Sequence, residues 1–172
     1  MKSVAKTPRL LLREFEVEDA PFILELLNTE KWLRMIGDRN VRTLPDAKVY
    51  IERKLIQAYK EYGFGFWLVF LPEESKAIGM CGLVKRVGLE DVDIGFAFLP
   101  AYEGRGYGFE AASATINLAK DYHLPRLAAI TTSYNFASIA LLTRLQFDFA
   151  KTIRLAGDEE ELMFFLRELN NE

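Results

Sequence analysis

The sequence predicts an α/β (α+β) domain with a mixed central sheet of six or seven strands, flanked by about four helices. Three observations predict it. Two stretches in the first third carry apolar residues at helical spacing. A block of aromatic and β-branched runs comes next, separated by turn residues. The last part alternates short buried runs with amphipathic ones, in the order strand, helix, strand, helix, strand. The chain, 1–172, reads as one domain, because no repeat, low-complexity tract or Pro/Ser-rich linker divides it.

"RLLLREF" (9–15) predicts the first strand. Asp19 is placed to cap a helix through "APFILELLN", with Pro21 tolerated in its first turn. Phe22, Ile23, Leu26 and Leu27 share its apolar face, and residues 30–44 read as a loop. A second helix, 45–62, opens at Pro45 and stops at Gly63, with Ala47, Ile51, Leu55, Ala58 and Tyr62 on its stripe. "FGFWLVFL" (64–71), "AIGMCGLVKRV" (77–87) and "DVDIGFAFL" (91–99) are strands, the last ended by Pro100. A glycine-rich loop leads to a helix at 106–121, then a strand at 127–132 and a helix at 135–145. Strands near 147–153 and 161–167 complete the sheet.

Composition narrows the function classes. A net charge of −3 gives no basic excess of the kind nucleic-acid binders show. The first residues carry no signal-peptide pattern, and no apolar run approaches membrane-spanning length. A single cysteine, Cys81, excludes an internal disulfide and fits a reducing cytoplasm. One cysteine and one histidine (His123) cannot build a Cys/His zinc site within the chain, so no metal is expected. No G-x-S-x-G stretch exists to support a serine triad, and His123 reads as a solvated helix-end residue.

"YEGRGYGFEA" (102–111) is the stretch that carries chemistry. Glycines before a helix can bring bare N–H groups up to an anion at its N-terminus. The nucleotide P-loop is excluded, since no Gly-Lys-Ser/Thr occurs anywhere. The dinucleotide fingerprint fails too, because Gly104, Gly106 and Gly108 form G-x-G-x-G late in the chain. A connector without a ligand remains the plain alternative.

At this point the chain resembles the GNAT superfamily of N-acetyltransferases, whose pyrophosphate signature is Gln/Arg-x-x-Gly-x-Gly/Ala. Here it stands as Glu103-Gly104-Arg105-Gly106-Tyr107-Gly108, with a glutamate in the first position. "PAYEGRGYGFEA" is similar to the loop of the RimJ/RimL-like subgroup, which acetylates protein N-terminal amines. "TPRLLLREFEVEDA", "IGMCGL", "VDIGFAFLP" and "NFASIALLTRLQF" match further segments in order, with Gln146 where the subgroup has glycine. The resemblance implies acetyl-CoA as co-substrate. It implies that the backbone of Phe96, Ala97 and Phe98 meets the pantetheine arm, whose amides can bond a strand edge. It also implies that Gly104, Arg105, Gly106, Tyr107, Gly108 and Phe109 hold the phosphates, with Arg105 adding charge.

The same resemblance gives Asn135 a contact with the cofactor arm and Ser138, one turn on, the protonation of the departing sulfur. The plain readings are a helix cap for Asn135 and a hydroxyl bonded back to a carbonyl for Ser138. A tyrosine donor used elsewhere in the superfamily is missing, since Leu142 holds its place. Asp93, with Asp91 beside it, is the candidate base; two solvated carboxylates is the plain reading. Glu110 fits a helix first turn, and Trp32 fits either the acceptor side or the core.

Weak base assistance bears on the acceptor. An α-amine of pKa about 8 is about a tenth neutral at pH 7, whereas a lysine near about 10.4 is less than about a thousandth neutral. The expected acceptor is therefore a primary amine, first a protein or peptide N-terminus. The alternatives are a small amine (polyamine, amino acid or antibiotic), or a catalytically weak acyl-CoA-binding module. Neither nucleic acid nor membrane is an expected partner, and oligomeric state, a homodimer included, stays open.

Overall fold

The computed structural model describes residues 2–157 and 159–169; Met1, Asp158 and residues 170–172 lie outside it. Among the described residues, eight strands form one mixed sheet in the order β1-β2-β3-β4-β5-β6-β8-β7. The extra strand arises at the start. The expected strand at 9–15 is half of a hairpin, β1 (Ser3–Lys6) against β2 (Leu11–Arg13). Thr7 turns the chain, its hydroxyl accepting from the Leu10 N–H and its own N–H donating to the Leu10 carbonyl, both at 2.9 Å. "TPR" is thus a turn signal that strand-like flanks obscured.

Helix α1 (Ala20–Leu27) lies where expected, with Phe22, Ile23, Leu26 and Leu27 buried, but Asp19 makes no side-chain cap, because its carboxylate accepts from Arg13 (2.6 and 2.7 Å) and from the Glu16 N–H (2.8 Å). The expected loop at 30–44 instead contains α2 (Glu30–Met35). The Thr29 hydroxyl accepts from the Trp32 N–H, and Glu30 and Arg34 suit the two ends of the helix dipole. The next helical rod starts as α3 (Leu44–Tyr50), capped by Thr43 and Asp46 reciprocally. It runs through a π turn (Ile51–Ile56) into α4 (Gln57–Tyr62) and ends at left-handed Gly63.

Strands β3 (Phe66–Leu71), β4 (Lys76–Val84) and β5 (Asp93–Phe98) form the antiparallel meander. Trp67, Leu68, Val69, Ile78, Met80, Cys81 and Leu83 are almost wholly enclosed, which puts the core on β3 and β4. Helix α5 (Tyr107–Asp121) packs on β4 and β5, with Thr115 Oγ1 3.3 Å from Cys81 Sγ. Burial of that thiol pushes its pKa up to about 12, so it is inert packing. His123 is exposed just past the end of α5, as expected, in a left-handed conformation.

Strand β6 (Arg126–Thr131), helix α6 (Phe136–Arg144) and the hairpin β7 (Asp148–Ile153) and β8 (Leu162–Glu168) complete the order. One join decides the function. β5 and β6 run parallel but pair only at Asp93–Ala128, and beyond that pair no ladder joins them. The sheet opens there, toward the C-terminal ends of both strands.

A side-chain clasp ties the first hairpin to the start of α5. Glu110 accepts from Thr7 Oγ1 (2.6 Å), from the Arg9 N–H (2.9 Å) and from Arg9 Nε (2.7 Å). Burial pushes the Glu110 carboxyl up, but the bonds from Thr7 and Arg9 outweigh it and hold it below its ordinary 4.5. A depressed folded pKa stabilises the protein above the unfolded value and loses that contribution as pH falls through the folded one. Glu110→Gln should therefore lower stability by about 1–2 kcal/mol at neutral pH. In denaturant melts the gap from wild type should close as pH drops below 4.5.

Candidate functional site

Where β5 and β6 part, a cleft of about 1420 Å³ opens. One wall is formed by β5 and the chain just after it: Phe96, Ala97, Phe98, Gly104, Gly106, Gly108 and Phe109. The other is the end of β6 and the start of α6, including Thr131, Thr132, Asn135 and Ser138. Ala97 and Phe98 pair with Met80 and Gly79 of β4, so one backbone edge is satisfied. The opposite edge past Asp93 meets no strand, which leaves its N–H and C=O groups for an extended ligand.

The β5 chain leads into the glycine loop. Gly104 (φ 71°) and Gly106 (φ 82°) both take the left-handed conformation, which only glycine adopts cheaply. Gly106 is the N-cap of the fifteen-residue helix α5, whose first N–H groups have no partner within the helix. A Cβ on Gly104 would meet nothing within 4 Å, so the loop lies open to an anion.

Two residues expected at the phosphates point elsewhere. The exposed Arg105 side chain lies over the Tyr102 ring at 5.6 Å and does not line the cleft; its carbonyl accepts from Arg9. Tyr107 is buried, under the Arg9 guanidinium at 4.5 Å, so only its backbone can serve. Glu103 is held by Lys31 of α2 at 2.7 Å, and both residues line the cleft.

Asn135 caps α6, its Oδ1 accepting from the Ser138 N–H at 3.2 Å. Its amide NH₂ is what remains for a ligand. The Ser138 hydroxyl, half-buried in the cleft wall, makes no hydrogen bond among the described residues. The expected alternative, a bond back to a carbonyl, is made instead by Thr143 to Ile139. Leu142, in the place of the missing tyrosine, is buried.

The carboxylates differ from expectation. Asp91 lies before β5 and pairs with Arg126 at 2.7 Å. Asp93 is 1% exposed and receives Arg86 Nη2 at 3.2 Å and Nε at 3.4 Å. Burial pushes its pKa up and Arg86 draws it down. Neither is solvated, and Asp93 is a buried counter-ion before it is a base. Trp32 is a core residue with its Nε1 donating to Gly37, although it also lines the cleft. Among the described residues no His/Cys/Asp/Glu group could hold a metal, and no helix is long and apolar enough to cross a membrane.

Residues 9–148 match the family described as the acetyltransferase (GNAT) domain. The chain belongs to this family. The uncharacterized N-acetyltransferase YnaD of Bacillus subtilis (strain 168) is 29% identical over 140 residues, spanning 81% of this chain and 79% of YnaD. Two solved structures share the fold. The ribosomal-protein-S5-alanine acetyltransferase of Vibrio fischeri superposes with a TM-score of 0.82 at 19% identity, covering 99% of this chain and 98% of that one. RimL, a ribosomal L7/L12 alpha-N-protein acetyltransferase in complex with coenzyme A, superposes with a TM-score of 0.83 at 16% identity, covering 99% and 100%.

Within this GNAT chain, sequence reasoning missed Lys31, Arg86 and Arg144, all on the cleft. Arg144 was legible in principle, because it shares a helical face with Ala137, Ala140 and Leu141. Gln146, where the family pattern has glycine, is left-handed (φ 61°) just past α6, its N–H donating to the Thr143 carbonyl. The departure is therefore a strained helix stop. Gln146→Gly should raise stability by up to about 1 kcal/mol in denaturant melts.

Proposed function

We propose that the chain transfers an acetyl group from acetyl-CoA to a primary amine, the α-amine of a protein or peptide N-terminus, directly within a ternary complex. The observation that carries this is the opening of β5 from β6, which leads straight into a left-handed glycine cradle at a helix N-terminus. The residues fit the co-substrate. The free edge at Phe96, Ala97 and Phe98 suits a chain of amides, and the N–H groups from Gly106 to Phe109 suit a pyrophosphate. Acetyl-CoA supplies a thioester that is already reactive, so holding it beside the amine does much of the work.

Ser138 carries the hydroxyl proposed to protonate the departing sulfur, because that hydroxyl has no protein partner among the described residues and its residue lines the cleft. Asn135, locked as the cap of α6, orients that helix and offers its amide NH₂ to the arm. Asp93 anchors Arg86 at the cleft, and a base must reach the proton it takes. With Asp93 so engaged, an acceptor that is partly neutral without help fits best, which favours the α-amine. RimL's description as an alpha-N-protein acetyltransferase agrees with that reading.

Calorimetry and mass spectrometry test it. Wild-type protein should bind acetyl-CoA and acetylate peptides with a free α-amine; acetylation of small amines alone would move the acceptor out of the peptide class. Gly106→Val should abolish acetyl-CoA binding, because a Cβ strains the cradle backbone (φ 82°) and presses within 3.3 Å of the Arg9 guanidinium that holds the loop. Unchanged affinity in folded Gly106→Val would remove the cradle from the site. Ser138→Ala should lower turnover about 10²-fold while leaving acetyl-CoA affinity intact. Unchanged turnover with chemistry limiting would take Ser138 out of the reaction.

A further inference from the structure

The end of the cleft away from the glycine cradle is walled by cations that the proposed reaction does not use. Arg34 comes from α2 and Arg39 from the chain after it, Arg53 and Lys54 from the π turn of the long rod, and Lys85 and Arg86 from just past β4. All six line the cleft, so three separate segments deliver positive charge to one space. The chain as a whole leans the other way, with 25 acidic residues against 22 basic ones. Few carboxylates answer this wall. Arg86 is on buried Asp93, and Lys85 Nζ donates to the Glu90 carbonyl at 2.6 Å. Arg39 reaches the Tyr50 hydroxyl, which carries no charge. Arg34, Arg39, Arg53 and Lys54 are exposed and form no ion pair among the described residues. Glu61, on the same rod, is about two turns farther along. Glu159 and Glu160 belong to the other side, on the segment leading into β8, which pairs with β6.

The position of the wall decides what it meets. With the phosphates on the glycine loop, the pantetheine arm runs along β5 from Phe98 toward Phe96, and the thioester lies beyond it. Farther on is Asp93, in register with Val84 of β4, and Arg86 follows Val84 by two residues. The cations therefore face the acceptor and not the coenzyme, whose phosphates are held at the other end. A positive wall repels a polyamine and favours an amine in its neutral, reactive form. A cleft lined by one sign of charge also concentrates molecules of the opposite sign. A peptide meets both conditions when its amine enters first and carboxylate side chains trail along the wall.

Resting on the peptide-acceptor reading above, we propose that this wall selects N-termini followed directly by acidic residues, whose carboxylates Arg34, Arg39, Arg53, Lys54 and Arg86 receive. It disfavours N-termini followed by lysine or arginine.

The test is the rate of acetylation of three peptides alike in length and first residue, with acidic, neutral or basic residues at the next positions, and of free glutamate. Wild type should acetylate the acidic peptide with a kcat/KM about 10-fold above the neutral one, the difference lying in KM. The basic peptide should be poorer than the neutral one, and raising the ionic strength should narrow both differences. Arg53→Glu combined with Lys54→Glu should remove or reverse the acidic preference while calorimetric affinity for acetyl-CoA stays unchanged. Arg39→Glu repeats the test on a separate segment. All three side chains are exposed, and thermal melts confirm that the variants are folded. Equal rates for the three peptides, or an acidic preference that survives in both variants, overturns the charged wall and leaves the peptide reading standing. Acetylation of free glutamate with no peptide acetylated, or of neither, overturns both.

Discussion

The site depends on a parting of two parallel strands. β5 and β6 share one pair, Asp93 with Ala128, and the Ala128 N–H donates to the Val92 carbonyl at 2.9 Å. Had the ladder continued, the β5 edge would be spent on β6 and no ligand could reach it. Because it stops, five residues of β5, a span of about 16 Å, keep one edge free. The parting is stable because each strand is fully paired on its other side, β5 with β4 and β6 with β8. Helix α5, packed on β4 and β5, buries the sheet behind the opening.

The glycine loop at the end of that opening is fixed from outside. The first hairpin reaches across to α5, where Arg9 meets three groups at once: the Glu110 carboxylate, the Arg105 carbonyl and the Tyr107 ring. These contacts hold the loop on both flanks of Gly106 while leaving its N–H side clear. They also absorb Glu110, whose negative charge near the helix start would otherwise compete with a phosphate for the same field.

Periodicity revealed most of this fold, because burial and element type are written in local apolar spacing. Strands 66–71, 76–84 and 93–98 and helices 107–121 and 136–144 fall within a few residues of expectation. The failures have one cause. Thr7-Pro8-Arg9 and Thr29-Glu30 are turn and cap signals inside segments whose hydrophobic pattern pointed elsewhere. The glycine cradle was legible, since left-handed backbone demands glycine and the chain displays it. Asp91 and Asp93 were not, because their partners Arg126 and Arg86 come from other segments. Sequence shows the charge on a residue, but only the fold shows what neutralises it.

The pairing pattern also explains how an acidic residue can stand beside the glycine cradle at the start of α5. Glu103 precedes the glycine cradle, where a bare carboxylate would repel any anion drawn to the start of α5. Lys31 cancels it at 2.7 Å, and both side chains are about a third exposed, so the pair is screened and its own stabilisation is small. Its consequence is geometric. Lys31 belongs to α2, the helix that carries Trp32 into the cleft, whereas Glu103 belongs to the glycine loop before α5. One contact thus ties α2 to the glycine loop.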